Sequence, residues 1–103
     1  MRVAELPIAI DAENIATFCR ARGIRKLSLF GSVLREDFDP TRSDVDVLVE
    51  LVPESRPGFS FFGWHEELAE VLGRKVDLNT PASLSRYFRD EILHEAETLY
   101  GSS

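Results

Sequence analysis

The chain has 103 residues, 44% of them hydrophobic and 29% charged, enough for one compact domain with a single core. With 18 acidic against 12 basic side chains its formal net charge is −6, which argues against a domain built mainly to grip a nucleic-acid backbone. A nucleotide ligand is still allowed, because a metal ion can supply positive charge locally. The single cysteine, Cys19, excludes an internal disulfide and suits a reducing compartment. The apolar runs are too short for a bilayer, and the start from Met1 to Pro7 lacks the apolar core of a secretory signal. These features predict a cytoplasmic protein with no membrane association.

Taken in chain order, Ile15, Phe18 and Cys19 fall at i, i+3 and i+4, predicting a helix from Asp11 to Arg22. Asp11 is its expected N-cap and Gly23 its stop. Cys19 then lies on the buried face, as a structural thiol. Lys26-Leu27-Ser28-Leu29-Phe30 reads as a strand ending at Gly31-Ser32, and Asp44 to Leu51 as a second strand rich in β-branched residues. The Pro and Gly content from Pro53 to Gly58 marks a loop. From Phe59 to Leu72 the spacing of Phe61, Trp64, Leu68, Val71 and Leu72 predicts a helix closed by Gly73. Arg74 to Asn79 reads as a third strand. A last helix is expected from Ser83 to Tyr100, with Tyr87, Phe88, Ile92, Leu93, Ala96 and Leu99 facing inward. The expected class is α/β (α+β), a small sheet with helices packed mainly on one face.

The chemistry concentrates in Leu29-Phe30-Gly31-Ser32-Val33-Leu34-Arg35 and in Ser43-Asp44-Val45-Asp46-Val47-Leu48-Val49. Residues two apart on a strand share a face and lie roughly 6.5–7 Å apart, so Asp44 and Asp46 can aim at one point. Two carboxylates with phosphate oxygens and water form the hard-oxygen environment that Mg²⁺ takes. A close pair of like charges also favours a cation between them. Alone, an Asp-x-Asp at a loop mouth is often no more than that. Gly31-Ser32, where a strand ends, would let a phosphate approach the backbone, or would merely turn the chain. Ser43 could orient Asp44 through a hydrogen bond, or shape the loop. Asp77 interrupts the apolar Val76-Asp77-Leu78; such a carboxylate is either edge-exposed or held for a purpose.

Together these segments resemble the minimal nucleotidyltransferase (MNT) family of the polymerase-β-like superfamily. The resemblance runs from Ile15-Ala16-Thr17-Phe18-Cys19-Arg20 through the Gly-Ser and Asp-x-Asp signatures and Leu72-Gly73-Arg74-Lys75-Val76-Asp77-Leu78 to Glu95-Ala96-Glu97-Thr98-Leu99-Tyr100. It implies a nucleotidyltransferase fold over one minimal domain, residues 1–103. It also implies that Asp44 and Asp46 hold two Mg²⁺ ions, with Asp77 completing the catalytic metal site and helping to polarise the attacking hydroxyl. Gly31 and Ser32 would hold the β- and γ-phosphates of ATP, with Ser43 beside them. Arg35 would either stabilise phosphate charge or pair with Glu36 or Asp37. Glu36 departs from the glycine that many relatives carry after that arginine; the three carboxylates are unaffected.

The implied activity is transfer of AMP from ATP to a hydroxyl, typically a tyrosine, on a partner protein. The implied partner is a HEPN-type ribonuclease toxin, with this chain as its antitoxin. The alternative is a non-catalytic module that silences its partner by contact alone. A nucleic-acid-tailing enzyme is disfavoured by the charge balance. His65 and His94 lack a second ligand at metal-binding spacing and read as surface or satisfied histidines. Phe59, Phe61, Phe62 and Trp64 could form a partner-binding patch, but core packing on the sheet is expected to explain most of them, and Arg20, Arg22, Arg25 and Lys26 are expected to be solvated. Tyr100 is expected to pack rather than accept a transferred group.

Overall fold

The computed structural model describes residues 10–34, 39, 44–54 and 58–101. Helix α1, Ala12–Arg22, begins where the Asp11 carboxylate accepts the amides of Glu13 and Asn14 at 3.1 and 3.2 Å. Those amides have no partner inside the helix, so an oxygen-bearing cap fixes the start. Ile15, Phe18 and Cys19 are its buried face, and Gly23 ends it, its amide bonded to the Cys19 carbonyl. Strand β1, Ile24–Phe30, follows at once and runs into a 3-10 turn, Gly31–Leu34. Strand β2, Val45–Leu51, returns antiparallel to β1. A 3-10 segment, Gly58–Gly63, leads into helix α2, Trp64–Leu72. Strand β3, Val76–Asn79, then lies parallel to β2. Parallel neighbours need a crossover between them, and α2 provides it.

The sheet order is β3-β2-β1-β4, because the chain ends with a fourth strand, β4 (Glu97–Tyr100), antiparallel to β1. Here the expected long C-terminal helix is corrected. Only Arg89–Glu95 is helical (α3), preceded by a 3-10 turn at Pro81–Ser83. Tyr87, Phe88 and Leu93, expected to face inward, are exposed. The free edge of β1 offers unpaired backbone groups, and Thr98-Leu99-Tyr100 satisfies them better than another helical turn would. The helix expected from Phe59 also starts later, since its first residues form the 3-10 segment.

Alternation along the strands builds the core. Val45, Val47 and Val49 of β2 and Leu27 and Leu29 of β1 are fully buried and join Ile15, Phe18, Cys19, Trp64, Leu68 and Leu72 in one cluster. Helix α1 packs on β1 and β4, α2 packs on β3, and the two touch, so both cover the same face of the sheet, as expected. Arg22 ties them: its guanidinium lies 4.0 Å over the Phe18 ring and its Nε donates to Glu67 Oε2 at 2.8 Å. Burial pushes the Cys19 thiol up to about 12, against a smaller downward pull from Arg22 and Arg20. This suits the structural role expected of it. Among the described residues no helix is long and apolar enough to cross a membrane.

Candidate functional site

The residues between the core valines point to the opposite face of the sheet. On β2 this places Asp46 away from Val45 and Val47, and half-buries it. The parallel register sets Asp46 beside Asp77 of β3, while the antiparallel register sets it beside Phe30 of β1. Register partners on adjacent strands share a face about 4.8 Å apart, so the two carboxylates are neighbours. The Val45 amide donates to the Lys75 carbonyl at 3.0 Å, which carries the β2–β3 pairing back to the residue after Asp44. Asp44 itself is exposed at the mouth of β2. Asp77 is exposed on the edge strand, and the Asn79 side chain donates to its carbonyl at 3.2 Å.

Gly31 closes the other side of this arrangement. Its φ of +76° is one that side-chain-bearing residues rarely adopt, and a Cβ there would collide with Asp46 Oδ2 and stand 3.2 Å from Asp46 Cγ. The turn that begins at Gly31-Ser32 therefore rests directly against the Asp46 carboxylate. Gly31 and Ser32 are half-buried, and Val33 anchors the turn in the core. The structure thus gathers Gly31, Asp46 and Asp77, with Asp44 at the rim. Arg35 and Ser43 lie outside the described residues.

The donor set fits a hard cation: carboxylate oxygens at the end of a sheet, with a glycine leaving room for another oxygen-rich group. Among the described residues no three His, Cys, Asp or Glu side chains are grouped as a metal cage by themselves. Mg²⁺ is ordinarily held by one or two carboxylates plus substrate phosphates, so such a cage is not what its chemistry requires.

A neighbouring feature involves the aromatic cluster that the sequence left between core packing and a partner-binding patch. A pocket of about 350 Å³ beside Asp77 is lined by Phe61, Phe62, His65, Val76, Asp77 and Leu78. Phe61 packs 5.3 Å from buried Trp64, whereas Phe62 and Phe59, expected mostly to pack on the sheet, are exposed. The available signal was an excess of aromatics: Phe59 and Phe62 fall off the stripe of Phe61, Trp64, Leu68 and Leu72.

A family model described as the nucleotidyltransferase domain matches residues 12–99. A relative from Methanocaldococcus jannaschii, named "Putative protein adenylyltransferase", is 39% identical over 74 residues, or 72% of this chain and 77% of that protein. A toxin–antitoxin structure with AMP-PNP contains a similar chain, with a TM-score of 0.70 at 21% identity over 91% of this chain and 76% of that one. So does the structure of a tri-AMPylated Shewanella oneidensis HEPN toxin in complex with MNT antitoxin, with a TM-score of 0.62 at 20% identity over 88% of this chain and 70% of that one. At those identities the two structures speak for the fold. With the family model spanning nearly all of the described residues, the chain belongs to the nucleotidyltransferase domain family and is an enzyme of that type.

Proposed function

We propose that this chain transfers AMP from ATP to a hydroxyl group, that of a tyrosine, on a partner protein, and that it acts as the antitoxin of a HEPN-type ribonuclease toxin. The observation that carries the chemistry is the register seating Asp46 beside Asp77, with the Gly31 turn against Asp46. The protein adenylyltransferase name of the M. jannaschii relative supports the acceptor class, and the HEPN–MNT complex supports the partner.

In this reading Gly31 and Ser32 receive the β- and γ-phosphates, the glycine because no side chain blocks the approach. Arg35 and Ser43 are assigned to the same nucleotide. Asp44, Asp46 and Asp77 would hold Mg²⁺, which when bound neutralises phosphate charge on both the attacking and leaving sides. Asp46 and Asp77, on adjacent strands of a rigid sheet, fix where the reacting groups meet. Asp77, exposed on the edge strand, can orient an incoming hydroxyl and accept its proton. The protein's task is then positioning and charge neutralisation, as phosphoryl-type transfer requires.

The test uses ATP labelled at the α-phosphate with Mg²⁺ and the purified partner toxin, comparing wild type with Asp44→Asn/Asp46→Asn. Label on the toxin with wild type alone supports the reading. Label on RNA would mark a tailing enzyme. Absence of label, with both forms silencing the toxin equally, would leave a contact-only antitoxin.

A further inference from the structure

Strand β3 leaves one side of its backbone without a neighbouring strand. The Val45 amide bonds to the Lys75 carbonyl, so Lys75, Asp77 and Asn79 address β2, and the N–H and C=O groups of Val76 and Leu78 turn to the free side. Among the described residues, neither makes a backbone hydrogen bond outside the sheet. Such an edge is a template for another strand, and charged side chains on it ordinarily turn other strands away. Here the charges are opposite in sign and two residues apart. Lys75 and Asp77 are both exposed, and alternation puts both on the face away from the helices. On the helix face the edge adjoins the pocket of Phe61, Phe62, Val76 and Leu78, where Phe62 remains 70% exposed.

We propose that a second copy of this chain closes this edge, β3 against β3 in antiparallel pairing about a two-fold axis at Val76. Only residues whose backbone groups turn outward can exchange ladder bonds, which restricts the axis within β3 to Val76, Asp77 or Leu78. An axis at Asp77 sets the two Asp77 carboxylates opposite each other, and like charges so placed oppose pairing. An axis at Leu78 sets Asp77 against Asn79 and leaves Lys75 without a partner. The axis at Val76 lets the two Val76 residues exchange both bonds and sets Lys75 of each copy opposite Asp77 of the other, so the charge match occurs twice. Those pairs have no ladder bonds between them, which brings their α-carbons to about 4.5 Å and their side chains close together. On the helix face Arg74 meets Leu78, and the two Phe62 pockets come together across the axis. The four-stranded sheet then continues into its copy, with a lysine from each copy at the rim of the other's carboxylate site. A foreign strand brings no such reciprocity.

Sedimentation equilibrium of the full chain over a rising concentration series should show a reversible monomer–dimer equilibrium. Lys75→Asp opposes acids in both pairs and Asp77→Lys opposes bases, so each alone should weaken association roughly tenfold or more. Combined as Lys75→Asp/Asp77→Lys they restore opposite charges, and association should return to within about threefold of wild type. Both positions are exposed, and circular dichroism checks that each variant is folded. Amide exchange followed by NMR locates the contact: Val76 and Leu78 should become protected as the dimer forms, while Asp77 is protected throughout by β2. A chain that stays monomeric, single variants that associate like wild type, or a folded double variant that does not recover would each overturn the pairing. So would a dimer in which Val76 and Leu78 exchange freely. Protection of these two amides only when a partner protein is added would overturn the second copy and give the edge to a foreign strand. None of these readouts involves AMP transfer, so the outcome is independent of the transferase reading.

Discussion

The two faces of the sheet are made from alternate residues of the same strands, and they are built to different ends. On the helix-covered face, Val45, Val47 and Val49 meet Leu27, Leu29 and Leu68 in a closed apolar cluster. On the other, Asp46 and Asp77 sit side by side against a glycine turn. On β2, Asp46 stands between two core valines on the second face, where Leu48, two residues on, is buried as well. A covered face tolerates no lost volume, whereas the carboxylate face sets two acids side by side at the end of the sheet.

That contrast can be broken at either face. Leu68→Ala, emptying a fully buried site, should cost about 2–5 kcal/mol in chemical denaturation, a large share of a small domain's stability. Below the unfolding transition, the surviving folded fraction should still transfer AMP. Asp46→Asn should do the reverse. Transfer should fall roughly a hundredfold or more while the denaturation midpoint moves far less than for Leu68→Ala. If instead Asp46→Asn unfolds the protein, the division between the faces is wrong. Gly31→Ala strikes where the faces meet: strain at φ +76° should cost about 1–2 kcal/mol, and the Cβ must displace the Asp46 carboxylate, so stability and transfer should fall together.

The smallest effect belongs to Cys19. Its thiol is pushed up to about 12 from an ordinary 9.0, so the folded state holds a proton that the unfolded chain releases first. The resulting stabilisation is complete below about pH 9 and declines as pH rises toward 12. Cys19→Ala should flatten that slope in urea titrations across the window. Iodoacetamide at pH 8 should label Cys19 in urea but spare it in the native protein.

Local signals carried most of this architecture. Asp11, Gly23 and the Ile15, Phe18, Cys19 spacing specify α1 because caps and periodicity act within a few residues. The alternation Asp44-Val45-Asp46-Val47 announced both the strand and its two faces. The C-terminal segment misled because Tyr87, Phe88 and Leu93 mimic an apolar helical stripe while remaining exposed. Whether Glu97–Tyr100 becomes strand or helix is decided by the open edge of β1, a distant partner that periodicity does not encode. At the site, Asp77 was identifiable as an interruption of an apolar strand. Its place beside Asp46 required the parallel register, and the Phe61–Phe62 pocket required the position of α2, neither of which is written locally.

The crossover through α2 has a thermal consequence. Strand β3 is a four-residue edge, bonded to the sheet on one side only, and it carries Asp77. Short edges open at lower free energy than the body of a domain. Heating should therefore separate Asp77 from Asp46 before the apolar cluster gives way, so that the enzyme falls silent, reversibly, while most of its structure is still in place.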